Sequence, residues 1–208
     1  FWGTKNGDNY QPDSARHNDF GHTAKSWWMT WLAAEYLGEQ QLVSQSKQGL
    51  QATLQAAFID QGEGGWRRLP NGAPAIWWEH AELDQAAASL ALVDPSAATY
   101  LASTYPQWFE RFIAEDGGTY PVANQGLKIH LWKSDYHALE HALVAYLTSA
   151  QLNGESARLY FAMPSEQAQL RQPYFYQAEK AQAKSIGKWQ NLTISQVNYQ
   201  HIGIKQAN

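Results

Sequence analysis

The stretch PAIWWEHAELDQAAASLALV, residues 74–93, decides the fold class. Its side chains are apolar or small on nearly every face, and a helix with this pattern is buried on all sides. The segment 39–58 differs, because its apolar residues form one stripe and its other face carries Gln and Ser. Such an amphipathic helix lies on the outside of a domain. An inside helix next to an outside helix predicts an all-α architecture.

The same arrangement recurs along the chain. The pairs Gly64-Gly65 and Gly117-Gly118 each follow an outside helix and precede an aromatic residue, and they lie about fifty residues apart. Helical hairpins that repeat at this period are typical of stacked α/α architectures. Periodicity and capping residues together predict five helices, over 22–37, 39–58, 74–93, 94–114 and 134–151.

The C-terminal part departs from the helical pattern. Aromatic and β-branched residues are frequent in segments of 173–204, and Gly187 lies in a connection between two of them. This composition predicts two or three strands. We therefore divide the chain into helical hairpins over 1–172 and a short β appendage over 173–208.

The composition excludes several classes of function. The 208 residues carry a formal net charge of −4 without a cluster of Lys or Arg, so no nucleic-acid partner is expected. No apolar run is long enough to cross a membrane, so no membrane partner is expected either. The absence of Cys excludes disulfides, thiol catalysis and thiolate-held zinc. The notable feature is the aromatic content of 13%, with ten Trp.

The inside helices concentrate residues that can carry chemistry. His22, His80 and His137 lie at or near the starts of three of them, beside Trp and Glu side chains. Helix starts that converge would form a pocket with aromatic walls and a few polar groups, which is typical of a binding site. Flat Trp faces suit the C–H faces of sugar rings. His titrates near neutral pH and can therefore move protons there.

Three motifs resemble the N-acylglucosamine 2-epimerase family, which includes cellobiose 2-epimerases and mannose isomerases. Gly21-His22-Thr23-Ala24-Lys25 is similar to its Gly-His-x-x-Glu segment, and Trp77-Trp78-Glu79-His80-Ala81-Glu82 is similar to its Trp-Trp-x-Gln-x-Glu segment. Lys128-Ile129-His130-Leu131-Trp132-Lys133-Ser134-Asp135-Tyr136-His137 is similar to its Lys…Trp-Lys-x-x-Tyr-His segment. Order and spacing agree over roughly residues 15–150.

The resemblance implies an (α/α)6 barrel, of which this chain is the later half. It implies an epimerase or aldose–ketose isomerase that acts on a mono- or disaccharide without a cofactor or metal. Its two acid–base histidines map onto His22 and His137. The residues expected to contact the sugar are Asp19, Trp78, His80, Glu82, Trp132 and Tyr136.

Two departures from the family motifs have opposite charge. Lys25 stands where the family has Glu, and Glu140 stands where it has Arg. We expect these two residues to form an ion pair of swapped polarity beside the histidines, where they tune or orient them. Their charged atoms should then lie within about 8 Å, a Debye length at physiological salt.

The length of the chain raises the question of how such a barrel closes. Three hairpins fit before the β appendage, and the family barrel needs about six. We therefore expect either a missing N-terminal half or completion by association, such as a homodimer. The expected compartment is cytoplasmic.

Three alternatives remain at this point. His137-Ala138-Leu139-Glu140-His141 matches the H-x-x-E-H motif of inverted zinc peptidases. A glycoside hydrolase on an α/α barrel would use two carboxyl groups, with Glu79, Glu82 and Asp84 as the candidates. The third alternative is a carbohydrate-binding domain without catalysis.

Overall fold

The computed structural model describes residues 19–60, 65–70, 72–123, 126–130, 133–168 and 171–205. The five predicted helices are confirmed, with ends that differ from the prediction by up to three or four residues. A 3₁₀ turn, Pro95–Ala97, precedes the fourth helix, and a single helical turn, Ser165–Ala168 (α6), follows the first strand. The five main helices are α1 (Phe20–Leu37), α2 (Gln40–Ala57), α3 (Trp77–Ala91), α4 (Ala98–Arg111) and α5 (Tyr136–Leu152).

The helices form an inner and an outer layer. Helix α3 packs against α1 on one side and α5 on the other, while α2 covers α1 and α4 covers α3. Nearly every residue of α3 is buried, and the Gln-rich face of α2 is exposed. The predicted alternation of inside and outside helices is therefore confirmed. Closure into an (α/α)6 barrel stays an expectation, because the described residues supply three inner helices.

The N-terminal ends of the inner helices meet. Asp19 caps α1, with its side chain accepting from the backbone N–H of His22, and Gly38 ends that helix in the left-handed conformation at φ 76°. Glu79 accepts from the backbone N–H of Ile76 and so caps α3. Contacts between the first turns of α1, α3 and α5, described below, place their starts at one mouth, as predicted.

The β appendage is a three-stranded antiparallel sheet in the order β1-β3-β2. Its strands are β1 (Ala157–Met163), β2 (Tyr176–Trp189) and β3 (Leu192–Ile204). The prediction of strands after residue 173 is confirmed, but β1 lies in the part assigned to helical hairpins, so that assignment was wrong for 157–163. The local sequence of β1 gives a weak signal, because only alternate residues are buried or partly buried. Its pairing with β3, such as Ala157 with Tyr199, joins residues that are distant in the sequence and cannot be predicted from local patterns.

None of the described helices is both long and apolar enough to span a bilayer.

A close approach of α1 to α3 predicts a sensitive glycine. A Cβ built on Gly21 would lie 2.9 Å from the Cα of Glu79, so Gly21→Ala should force the two helices apart. We expect the free energy of unfolding to fall by about 1–3 kcal/mol, the usual range for overpacking, although Ala favours a helix more than Gly does. Gly203→Ala is the control, because no atom lies within 4 Å of its added Cβ. Equal stability of both variants in urea denaturation would contradict this prediction.

Candidate active site

A cavity of about 610 Å³ lies where the first turns of α1, α3 and α5 meet. We call it the histidine cavity. The predicted site residues that line it are Asp19, His22, Lys25, Trp78, Glu82, Tyr136 and His137. Arg68 and His130 also line it, although the sequence did not point to either as a site residue. His130 is three residues before Lys133 in the third motif segment, whereas Arg68 lies in a loop that carries no motif.

A second cavity of about 720 Å³ lies between α4 and α5. It is lined mostly by apolar side chains, including Trp108, Phe109 and Leu139. His141 reaches it, but the imidazole Nε2 of His141 lies 2.8 Å from Oδ2 of the buried Asp84. The chemistry therefore concentrates in the histidine cavity, although that cavity is smaller.

His22 is held by Asp19 on the preceding turn. The two are joined by a 2.7 Å contact between His22 Nδ1 and Asp19 Oδ2, while Oδ1 accepts from the backbone N–H of His22 at 2.8 Å. The Asp19 side chain is 3% exposed and that of His22 is 40% exposed. With a carboxylate as acceptor, Nδ1 carries the proton in the neutral ring, and Nε2 is left as the basic nitrogen.

The environment favours the charged form of His22. The hydrogen bond to Asp19 raises the pKa of His22 above its ordinary value; burial opposes this, and the charges of Asp19, Glu79 and Glu82 add to the increase. For Asp19, burial raises the pKa, but the hydrogen bonds from His22 outweigh burial and leave that pKa lowered. The pair is thus most stable with both groups ionised.

Asp19→Asn should lower the pKa of His22, because an amide cannot stabilise the imidazolium by charge. The measurement is an NMR titration of the His22 ring in the full chain. Asp116→Asn is the matched control, since Asp116 is exposed, binds Lys128 and does not line the histidine cavity. A His22 titration that is the same in wild type and Asp19→Asn would show that the contact does not set the charge of this ring.

His137 is held by a second carboxylate, Glu82 of α3. Its Nδ1 lies 2.7 Å from Glu82 Oε1, and the Glu82 side chain is 2% exposed. The other oxygen of Glu82 lies 2.9 Å from Lys25 Nζ. Asp19 and Glu82 were predicted to contact the sugar, but the structure engages both carboxylates with the histidines.

The predicted pairing of Lys25 with Glu140 is confirmed at 2.7 Å between Nζ and Oε2. Lys25 therefore lies between two buried carboxylates, those of Glu82 and Glu140. Burial lowers the pKa of Lys25, but the two carboxylates overcompensate and leave it raised. Burial raises the pKa of Glu140, and hydrogen bonds from Lys25 and Tyr174 outweigh it and leave that pKa lowered. The two ion pairs thus outweigh burial and keep Lys25 charged.

Trp78 contacts both imidazole rings. Its ring centroid lies 4.6 Å from that of His22 and 5.9 Å from that of His137. Trp77 also borders the cavity, but it is 1% exposed and packs in a core cluster with Trp108 and Phe112. Neighbouring residues of a helix point about 100° apart, which is why the two Trp side chains have different neighbours.

His80 is the predicted substrate residue that the structure places outside the histidine cavity. It is 3% exposed, its Nε2 lies 3.1 Å from the carbonyl oxygen of Thr104, and its ring packs against Trp108 and Phe112. The reason is helical geometry, because a residue two positions after Trp78 faces the other side of α3. Trp132, also predicted to contact the sugar, lies outside the described residues.

The three side chains of the H-x-x-E-H motif have separate partners. His137 contacts Glu82, Glu140 binds Lys25, and His141 contacts Asp84. Within the described parts of the chain, no group of three His, Cys, Asp or Glu side chains is arranged to hold a metal ion.

The carboxyl candidates for a glycoside hydrolase are buried. Glu79 is fully buried, lies 2.9 Å from Arg68 Nε, and burial raises its pKa to about 7. Asp84 is also fully buried; its Oδ1 accepts from the indole N–H of Trp66 at 2.7 Å, and its Oδ2 contacts His141. Neither Glu79 nor Asp84 lines the histidine cavity.

Comparison with solved structures finds a similar fold in "Crystal structure of D-mannose isomerase", with a TM-score of 0.56 and 18% sequence identity. The match covers 69% of this chain and 41% of that one, so the chain spans well under half of that protein's length. No protein-family model and no curated protein matches the sequence. At this identity the similarity shows the fold alone: the chain has a fold like that of part of a sugar isomerase.

Proposed function

We propose that the chain is the acid–base part of a sugar isomerase or 2-epimerase of the N-acylglucosamine 2-epimerase type. One observation carries the proposal: two histidines line one cavity, and the Nδ1 of each lies 2.7 Å from a buried carboxylate. Such a contact orients the ring and places the reactive nitrogen, Nε2, for proton transfer. The fold shared with a mannose isomerase is consistent with this chemistry.

In this proposal, one imidazole removes the proton from C2 of an open-chain aldose, and the electron pair forms an enediolate with the C1 carbonyl. Return of a proton to the opposite face of C2 gives the epimer. Delivery of a proton to C1, with loss of the O2 proton and formation of a C2 carbonyl, gives the ketose. Both outcomes need a base and an acid that titrate near neutral pH, as His does.

The charges around the rings suggest which histidine serves as acid. The raised pKa of His22 keeps its ring protonated to higher pH than an ordinary His, so we assign His22 as the acid and His137 as the base. Asp19 and Glu82 position the rings. Lys25 contacts the carboxylates of both Glu82 and Glu140 and so holds Glu82 in place.

We propose Trp78 and Tyr136, which both line the histidine cavity, as sugar contacts. The Trp78 ring lies beside both histidines and offers an apolar face to sugar C–H groups. The hydroxyl of Tyr136 donates to Glu140 at 3.0 Å and can still accept from a sugar hydroxyl.

The test is product analysis by NMR. The chain is incubated with D-mannose, D-glucose, D-fructose, cellobiose and N-acetyl amino sugars, and the spectra are searched for a ketose or a C2 epimer. We expect one class to be converted and the type of product to distinguish isomerase from epimerase. Saturable sugar binding without any product would favour the carbohydrate-binding alternative instead.

A further inference from the structure

Glu140 receives hydrogen bonds from three elements of the fold. Its Oε2 accepts from Lys25 Nζ of α1, and its Oε1 accepts from the hydroxyl of Tyr136 on its own helix. The third donor is the hydroxyl of Tyr174, in the segment that leads into β2. The Glu140 side chain is 3% exposed, and a buried carboxylate depends on such donors.

Tyr174 has a backbone conformation that is unusual for an aromatic residue. Its φ is 65°, in the left-handed region that residues with a Cβ rarely adopt. Its backbone N–H donates to the carbonyl of Gln172, and two residues later the hydroxyl of Tyr176 lies 2.7 Å from Ser89 Oγ of α3. Strained residues often occur at functional sites, where the surrounding structure holds them in place. The start of β2 is thus fixed to an inner helix, and Tyr174 is directed at Glu140.

A chain of contacts links Tyr174 to the base. Glu140 binds Lys25, Lys25 pairs with Glu82, and Glu82 contacts the Nδ1 of His137. Tyr174 itself does not line the histidine cavity; it lines a separate cavity of about 550 Å³ on the other side of Lys25 and Glu140. Its effect on a substrate would therefore be indirect.

We propose that Tyr174 is a positioning residue: its hydroxyl fixes Glu140, which holds Lys25 against Glu82, the partner of His137. The β appendage then forms part of the active-site support, although it lies outside the segment that resembles the epimerase family. The effect of Tyr174 on catalysis rests on the proposed function. Its effect on the position of Glu140 rests on the hydrogen bonds alone.

The charges agree with a donor role for Tyr174. Burial, followed by the hydrogen bond to Glu140, raises the pKa of Tyr174 well above its ordinary value, so the phenol keeps its proton. Among the described residues, Lys25 and Tyr136 also donate to Glu140, and Tyr36 and Lys205 line the same cavity as Glu140. Burial raises the pKa of Tyr176, and the charge of Glu140 adds to that increase. Lys25 is the cation that forms an ion pair with Glu140.

The experiment is a carboxyl NMR titration of the full chain labelled with ¹³C-glutamate. Tyr174→Phe keeps the ring and removes the donor, so the pKa of Glu140 should rise. Tyr160→Phe is the matched control, because Tyr160 is an exposed tyrosine of β1, and it should leave that pKa unchanged. If Tyr174→Phe does not fold, Tyr174→Met removes the same hydroxyl with a more flexible side chain. An unchanged Glu140 titration in a folded variant overturns the proposal.

Kinetics separate this inference from the proposed function. If the chain is an isomerase or epimerase, Tyr174→Phe should lower kcat severalfold with little change in KM, because the residue does not touch substrate. If no sugar is converted by the wild type, the proposed function fails, while the titration still decides whether Tyr174 fixes Glu140. If folded Tyr174→Phe has the Glu140 pKa and the kcat of the wild type, then Tyr174 neither fixes Glu140 nor supports catalysis.

Discussion

Replacing His137 with Gln should lower the rate of proton exchange at the sugar C2 by about 10²–10⁴-fold, the usual contribution of a general base. The physical reason is that Gln cannot accept and release a proton near neutral pH, while its amide can still contact Glu82. The measurement is the initial rate of deuterium incorporation from D₂O, followed by NMR. Affinity for the sugar should change much less than the rate.

His201→Asn is the control for His137→Gln. His201 is an exposed residue of β3, it does not line the histidine cavity, and Asn tolerates its positive φ of 54°. This variant should keep the wild-type rate. If His137→Gln also keeps that rate, His137 is not the base, and the assignment of the two histidines has to be abandoned.

Lys25→Met should destabilise the protein by about 3–5 kcal/mol at neutral pH, the cost of leaving buried charges without a partner. The carboxylates of Glu82 and Glu140 are 2% and 3% exposed. Without the ammonium group they lose the cation between them and keep only the contacts with His137, Tyr136 and Tyr174. Urea denaturation followed by Trp fluorescence measures the change. The destabilisation by Lys25→Met should be smaller in acid. Because the pKa of Glu140 is lowered in the folded protein, its stabilising contribution is present above its unfolded pKa. That contribution disappears as the pH falls through the folded pKa.

Lys47→Met is the matched control for Lys25→Met. Lys47 also lies on a helix and over a Trp ring, but its ammonium is 3.6 Å from Glu35 and its side chain is 33% exposed. Glu35 is buried, but the pair is longer and its lysine reaches solvent, so we expect it to contribute about 0–1 kcal/mol, as surface ion pairs do. The free energy of unfolding could instead fall no more for Lys25→Met than for Lys47→Met. Water, and not Lys25, would then be what stabilises the charged carboxylates of Glu82 and Glu140.

Local sequence patterns predicted most of the helical part. The apolar periodicity of residues 74–93 and the polar face of 39–58 gave the inside and outside helices, because burial acts directly on side-chain spacing. The ion pair between Lys25 and Glu140 was predictable from the motifs. Lys25 stands where the resembling family has Glu and Glu140 stands where it has Arg, so both charges are reversed together. The placement of His22 and His137 in one cavity followed from helix starts that converge.

The sequence could not predict which way some side chains point or which distant segments pair. His80 lies in a motif, but its position on α3 turns it towards Trp108 and away from the cavity. Strand β1 depends on pairing with β3, about forty residues later, and carries a weak local signal. The contact of Tyr174 with Glu140 joins residues from different elements and appears only in the folded chain.

The most direct test of the central claim is deuterium incorporation at C2 of a sugar by the wild-type chain, compared with the His22→Gln/His137→Gln double variant. The account predicts that the wild type incorporates solvent deuterium into at least one aldose or ketose and that the double variant incorporates none above the uncatalysed rate. Equal incorporation by both proteins, or none by the wild type with any sugar of the panel, would contradict it.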